Sequence, residues 1–235
     1  MLGTIVNVVA IFVGGLLGIL FRKIIKKELL EAVLKVVGMV VLIFGLIGVL
    51  QSMIHVEGGL LITEGELLLL VCLTVGTLIG EVLKIDEHLI HFGEKLEKKL
   101  NKGAFSEGFI TASLIFCVGA MAIIGSISAA SGNYQVLYLK AAIDGITAMI
   151  LASTLGIGVV FSGITVFLYQ GSITLLSSAL DSFMSAAFIN SFNAVGYVIV
   201  GCIGLNFLRE QKLKIANMIP SLFLVILYYL IRLIG

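Results

Sequence analysis

Charge is what this sequence lacks most: only 12% of its 235 residues are Asp, Glu, Lys or Arg. A soluble globular domain carries about 25%. A net charge of +1 argues against a nucleic-acid partner. Tryptophan is absent, and Pro220 is the lone proline, so helix breaks and close backbone contacts fall to glycine, of which there are 27. The three cysteines, Cys72, Cys117 and Cys202, all sit inside apolar runs. Buried cysteine behaves as a small hydrophobe, so no disulfide framework is expected. No P-loop, glycine-rich dinucleotide turn, HExxH or GxSxG motif is present, which argues against an enzyme and calls for no cofactor.

Apolar length takes the place of charge. Sixty per cent of the chain is hydrophobic, and the mean hydropathy is +1.19. The runs are too long for the strands of a barrel and lack their alternation. The expected fold is an all-α polytopic transmembrane bundle in the lipid bilayer, forming a single integral membrane domain over 1–235. No basic segment precedes the first run and no cleavage site follows it, so that run reads as a retained helix.

At about 20 residues per crossing, the runs predict helices over 2–21, 36–54, 67–83, 109–130, two within 136–178, one from about 192 to 208, and 215–234. An interfacial connector is expected over 24–35. The 84–102 segment reads as an amphipathic surface helix near 85–100, with Ile85, Leu89, Phe92, Leu96 and Leu100 at helical spacing. The 55–66 segment reads as an acidic turn, and 181–190 as a short inserted segment. The total is about eight crossings, or seven plus a re-entrant segment. Segments 22–35, 84–102 and 209–214 hold thirteen of the fifteen basic residues. Eight crossings place all three on one face, which the positive-inside rule makes cytoplasmic, with both termini outside.

The run around LKAAIDGITAMILASTLGIGVVFSG, 139–163, organises the functional reading. The apolar stretch containing it is about twice one span. The chain should therefore cross, break at Gly156-Ile157-Gly158 and cross again. That break carries no charge, so it is expected to be buried in protein or to line a cavity. Asp144 is an acid within a span, and such residues face a cavity or a partner. Lys140 stands at i−4 on the same helical face. Two readings stay open: a structural Lys140–Asp144 pair, or a site. Thr147, Ser153, Thr154, Asn7, Asn190 and Asn193 are neutral polar groups in apolar context, able to bond neighbouring helices or a solute. Asp181 is a second acid, expected near the outer surface. Gly14 with Gly18, and Gly76 with Gly80, are small pairs four apart that let helix backbones meet within one subunit or across a homo-oligomer seam. Cys117 to Ala122, with Gly125-Ser126, forms another small-residue face. His88 and His91 offer too few converging ligands for a metal.

Traces of repetition appear as well. VGGLLG at 13–18 resembles VGTLIG at 75–80, and Asn7, Gly15 and Gly18 share their spacing with Asn193, Gly201 and Gly204. Three functional readings follow: a small-solute or ion transporter with its site near 139–163, an oligomeric channel, or a non-transporting scaffold docking through 84–102.

DGITAMILASTLGIGV, together with MLGTIVNVVAIFVGGLLG at the start and CVGAMAIIGSI at 117–127, resembles the bacterial membrane family called domain of unknown function 554, the YdfK/YqgA-like proteins. The resemblance covers the whole chain and implies a bacterial cytoplasmic-membrane setting. It implies no substrate and no site residues.

Overall fold

The computed structural model describes residues 1–24, 27–88, 91, 105–117, 120–130, 132–180, 185–211 and 213–234. In chain order these form α1 (Leu2–Ile24), α2 (Lys27–Met53), β1 (Ile54–Glu57), β2 (Leu60–Thr63), α3 (Glu66–Leu83), α4 (Phe105–Cys117), α5 (Ala120–Ala130), α6 (Gln135–Leu155), α7 (Gly158–Leu180), α8 (Ala186–Leu208), a 3-10 turn (Ile215–Met218) and α9 (Pro220–Ile234). Among the described residues, seven helices are long and apolar enough to cross a membrane, and α4 with α5 makes an eighth span if that bent pair crosses as one. The all-α polytopic bundle follows, because a helix satisfies its own backbone where no water can.

The chain divides into two compact units, 1–36 with 89–180, and 37–88 with 181–235. In the first unit, α1 runs beside α6 in the same direction, with Gly3 at Leu137, Gly14 at Gly145 and Gly18 at Met149. A Cβ at Gly14 or Gly18 would overlap the carbonyl of Gly145 or Met149, so only glycine permits this approach. Helix α7 lies antiparallel to α1, with Gly15 at Val160 and Gly163 at Phe12. Buried Thr4, Asn7, Ile11, Gly14 and Gly18 make one stripe of α1, while Leu2, Val9, Val13, Leu16 and Leu20 are more than half exposed on the other. That exposed stripe suits contact with lipid.

The second unit repeats this device with other partners. Helix α2 packs antiparallel on α8, with Gly45 against Gly201 and Gly48 against the Tyr197 ring. Helix α3 packs antiparallel on the 3-10 turn and α9, with Gly80 at Asn217 and Gly76 at Ser221. At one end, the Asp86 N–H donates to Asn217 Oδ1 at 2.7 Å, and the Ala216 N–H returns a bond to Asp86 Oδ1 at 3.4 Å. Lys214 Nζ lies 3.2 Å from Glu81 Oε2 and 3.8 Å from Glu87 Oε1.

Several sequence-based boundaries are corrected. The connector at 24–35 is not separate, because α2 begins at Lys27 and runs unbroken through its span. The acidic turn is a β-hairpin pairing Ile54 with Thr63 and Glu57 with Leu60. Gly58 and Gly59 at its tip have φ of 58° and 81°, the pair of positive values a two-residue hairpin loop requires. The single helix expected over 109–130 is two helices bent by 78°. The 186–190 part of the expected inserted segment belongs to α8, where Ser185 caps the helix by accepting from the Phe188 N–H. Of the expected surface helix, Ile85–His88 is helical; 89–90 and 92–102 lie outside the described residues, as do Asp181, Val118 and Gly119.

Candidate functional site: a buried polar cluster in the first unit

Helix α6 carries Lys140 and Asp144 one turn apart, on the face that meets α1 and α7. Both are about 5% exposed. Lys140 Nζ donates to Asp144 Oδ2 at 2.7 Å. Asn7 on α1 reaches the same oxygen, Nδ2 to Oδ2 at 3.0 Å. Asn7 Nδ2 also contacts Gln170 Oε1 on α7 at 3.4 Å. One amide nitrogen therefore ties three helices together around a carboxylate. The opposite orientation of the Asn7 amide would aim its oxygen at Asp144, so the carboxylate dictates which end faces it.

The cluster is incompletely bonded. Thr4 Oγ1, Asn7 Oδ1 and Gln170 Nε2 are buried and have no hydrogen-bond partner among the described residues. All three side chains belong to residues with no exposed surface. An unsatisfied buried polar atom costs about 1–3 kcal/mol, so each of the three calls for a physical reason.

The residues expected to form a site separate on inspection. Asn7 and Asp144 come together. Thr147 is half-buried on the same helix. Ser153 and Thr154 turn their hydroxyls back to the carbonyls of Ile150 and Leu151, at 2.7 and 2.9 Å, so they serve their own helix. Asn193 is buried in the second unit, and its Oδ1 has no partner among the described residues. Asn190 lines a cavity of about 250 Å³ in that unit, with Ser191, Tyr229, His55, Glu64 and Arg232. Ser191 and Tyr229 share a hydrogen bond of 3.0 Å across it. Gln170 and Thr4 were absent from the expected set. The available signals were a lone amide in the apolar run of α7, and a hydroxyl one turn before Asn7.

The Gly156–Gly158 break is real: α6 ends at Leu155 and α7 begins at Gly158. Gly156 takes φ of 82°, which favours glycine. It is buried in protein, with Arg22 over it and Gly158 against Phe105 and Phe109. The break joins two helices that are each long enough to span. It lies about eleven residues beyond Asp144, roughly 16 Å along α6 at 1.5 Å per residue, so the turn is a neighbour of the cluster's helix and not its floor.

Seven or eight apolar spans with lipid-suited faces and a charged pair hidden among them define a multi-pass membrane protein. The chain belongs to the family described as Protein of unknown function (DUF554), whose model matches residues 2–230. It is 33% identical over 223 residues to the "Uncharacterized membrane protein YdfK" of Bacillus subtilis (strain 168), covering 94% of this chain and 93% of that one. It is 23% identical over 232 residues to the "Uncharacterized protein YqgA" of Escherichia coli (strain K12), covering 95% and 94%. No solved structure matches it.

Proposed function

We propose that the protein is a transporter of a small solute or ion in the bacterial cytoplasmic membrane. The site is the cluster of Lys140, Asp144, Asn7 and Gln170, and both termini face outside. One observation carries the reading. A bundle in need of stability alone gains little from a desolvated ion pair, whose burial cost offsets its attraction. It gains nothing from three orphaned polar atoms beside the pair. Ionisable groups inside spans mark substrate or ion pathways.

Counterflow in proteoliposomes tests the proposal, using labelled rubidium, sodium, chloride, urea and alanine as probes. Saturable exchange of any one of them supports a carrier. Unitary conductance across a planar bilayer would replace the carrier with a pore. If neither is seen with the purified full chain, transport is rejected.

A further inference from the structure

Resting on that reading, we infer that the solute is uncharged and presents a hydrogen-bond donor beside an acceptor, as a carboxamide or urea group does. The argument begins with charge. The cluster's two ionised groups neutralise each other at 2.7 Å. Asp144 takes a second bond, from Asn7. Adding an ion would place an uncompensated charge in a desolvated setting, which costs several kcal/mol. What remains unsatisfied is neutral: one amide oxygen, one amide nitrogen and one hydroxyl.

Covalent geometry keeps these groups close. Asn7 Oδ1 and Gln170 Nε2 are the far ends of two amides whose near ends meet at 3.4 Å. Bond lengths of about 1.33 and 1.23 Å put the two heteroatoms of one amide roughly 2.3 Å apart, so the free ends lie within about 8 Å of each other. Thr4 sits one turn before Asn7 on the buried stripe of α1, and its hydroxyl donates or accepts. A ligand N–H donating to Asn7 Oδ1, with its carbonyl accepting from Gln170 Nε2, would complete both amides without disturbing the Lys140–Asp144 pair. A divalent or transition-metal cargo lacks a counterpart here, since no group of three or more His, Cys, Asp or Glu side chains converges among the described residues.

The test is stopped-flow light scattering on proteoliposomes of the full chain, with urea, acetamide and glycerol as osmolytes. Voltage- and pH-sensitive dyes report ions in parallel. We expect protein-dependent entry of urea or acetamide. Thr4→Val and Gln170→Met, which keep shape and leave the ion pair alone, should slow that entry at least tenfold while thermal unfolding in detergent moves little. If either variant unfolds, the other serves. Entry unaffected by both folded variants overturns the assignment, as does entry of glycerol with both amides excluded. Ion flux with every uncharged probe excluded overturns the inference and leaves the transporter reading standing. Accelerated water flow with all three solutes excluded also overturns it, because water alone then satisfies the orphaned atoms. Absence of any flux rejects both.

Discussion

Among the described residues Asp144 has two partners and Lys140 one, and that asymmetry sets what each substitution does. Asp144→Asn leaves the Lys140 ammonium buried with no counter-charge. Breaking one side of a buried pair costs about 3–5 kcal/mol, so we expect a marked fall in melting temperature in detergent. The double change with Lys140→Gln removes both charges and should recover most of that loss. Flux then separates the roles. If the pair is architecture, the double variant regains counterflow together with stability; if it belongs to the site, stability returns and counterflow does not. At this scale the sequence was legible for Asp144 and Lys140, whose i, i+4 spacing puts them on one face. It offered Asn7 without its partners and was silent on Gln170, since no spacing rule links residues 137 and 163 positions apart. Asn7 and Asn193 share both a sequence context and a fate, each buried with its Oδ1 unpartnered among the described residues. Ser153 and Thr154 show the converse: hydroxyls in a span, spent on their own backbone.

Among the elements, contact between helices depends on missing side chains. Gly14→Val should force α1 from α6, because its Cβ would meet the Gly145 carbonyl, a backbone atom that has no rotamer to give. Overpacking costs about 1–3 kcal/mol or more, read as a lower melting temperature by fluorescence-detected size exclusion. Val13→Leu, one residue away on the exposed stripe, should leave that profile unchanged. A second prediction concerns the contact between α3 and the 3-10 turn. The hydrogen bond and charge of Glu81, with Glu87 and Asp86 nearby, hold the exposed Lys214 ammonium above the ordinary lysine range. A cation raised in this way stabilises the fold fully below its unfolded pKa, and that contribution is lost as pH rises through the folded value. Amide exchange, corrected for its intrinsic pH dependence, should therefore quicken at Ala216 above the ordinary lysine range. Lys214→Gln should show the quickened rate already at neutral pH. Small pairs four apart were readable as contact surfaces, but not which helix each would meet. The hairpin was readable in principle from Gly58-Gly59, and its strands are short enough to pass for a turn.

For the whole molecule, the parity of the crossings decides the outcome. With α4 and α5 counted as one span, eight spans put both termini on the same side, and the three basic segments on the other. A fluorescent protein that matures only in the cytoplasm, fused after Gly235, should stay dark. Bright cells would mean that the number of crossings is odd and that one of the helices is re-entrant. Composition and run length alone determined that this chain is a helical membrane protein, because a 20-residue apolar helix has no other stable solvent. They also determined the turn between α6 and α7, since the largely apolar run over 136–180 is about twice the length of one span. Only the tertiary structure decided that α1, α6 and α7 share one interior, that Asn7 donates to Asp144, and that 109–130 bends. Those outcomes arise from pairings between distant segments of similar composition, where glycine positions and one carboxylate select the partner, and no local pattern records the choice.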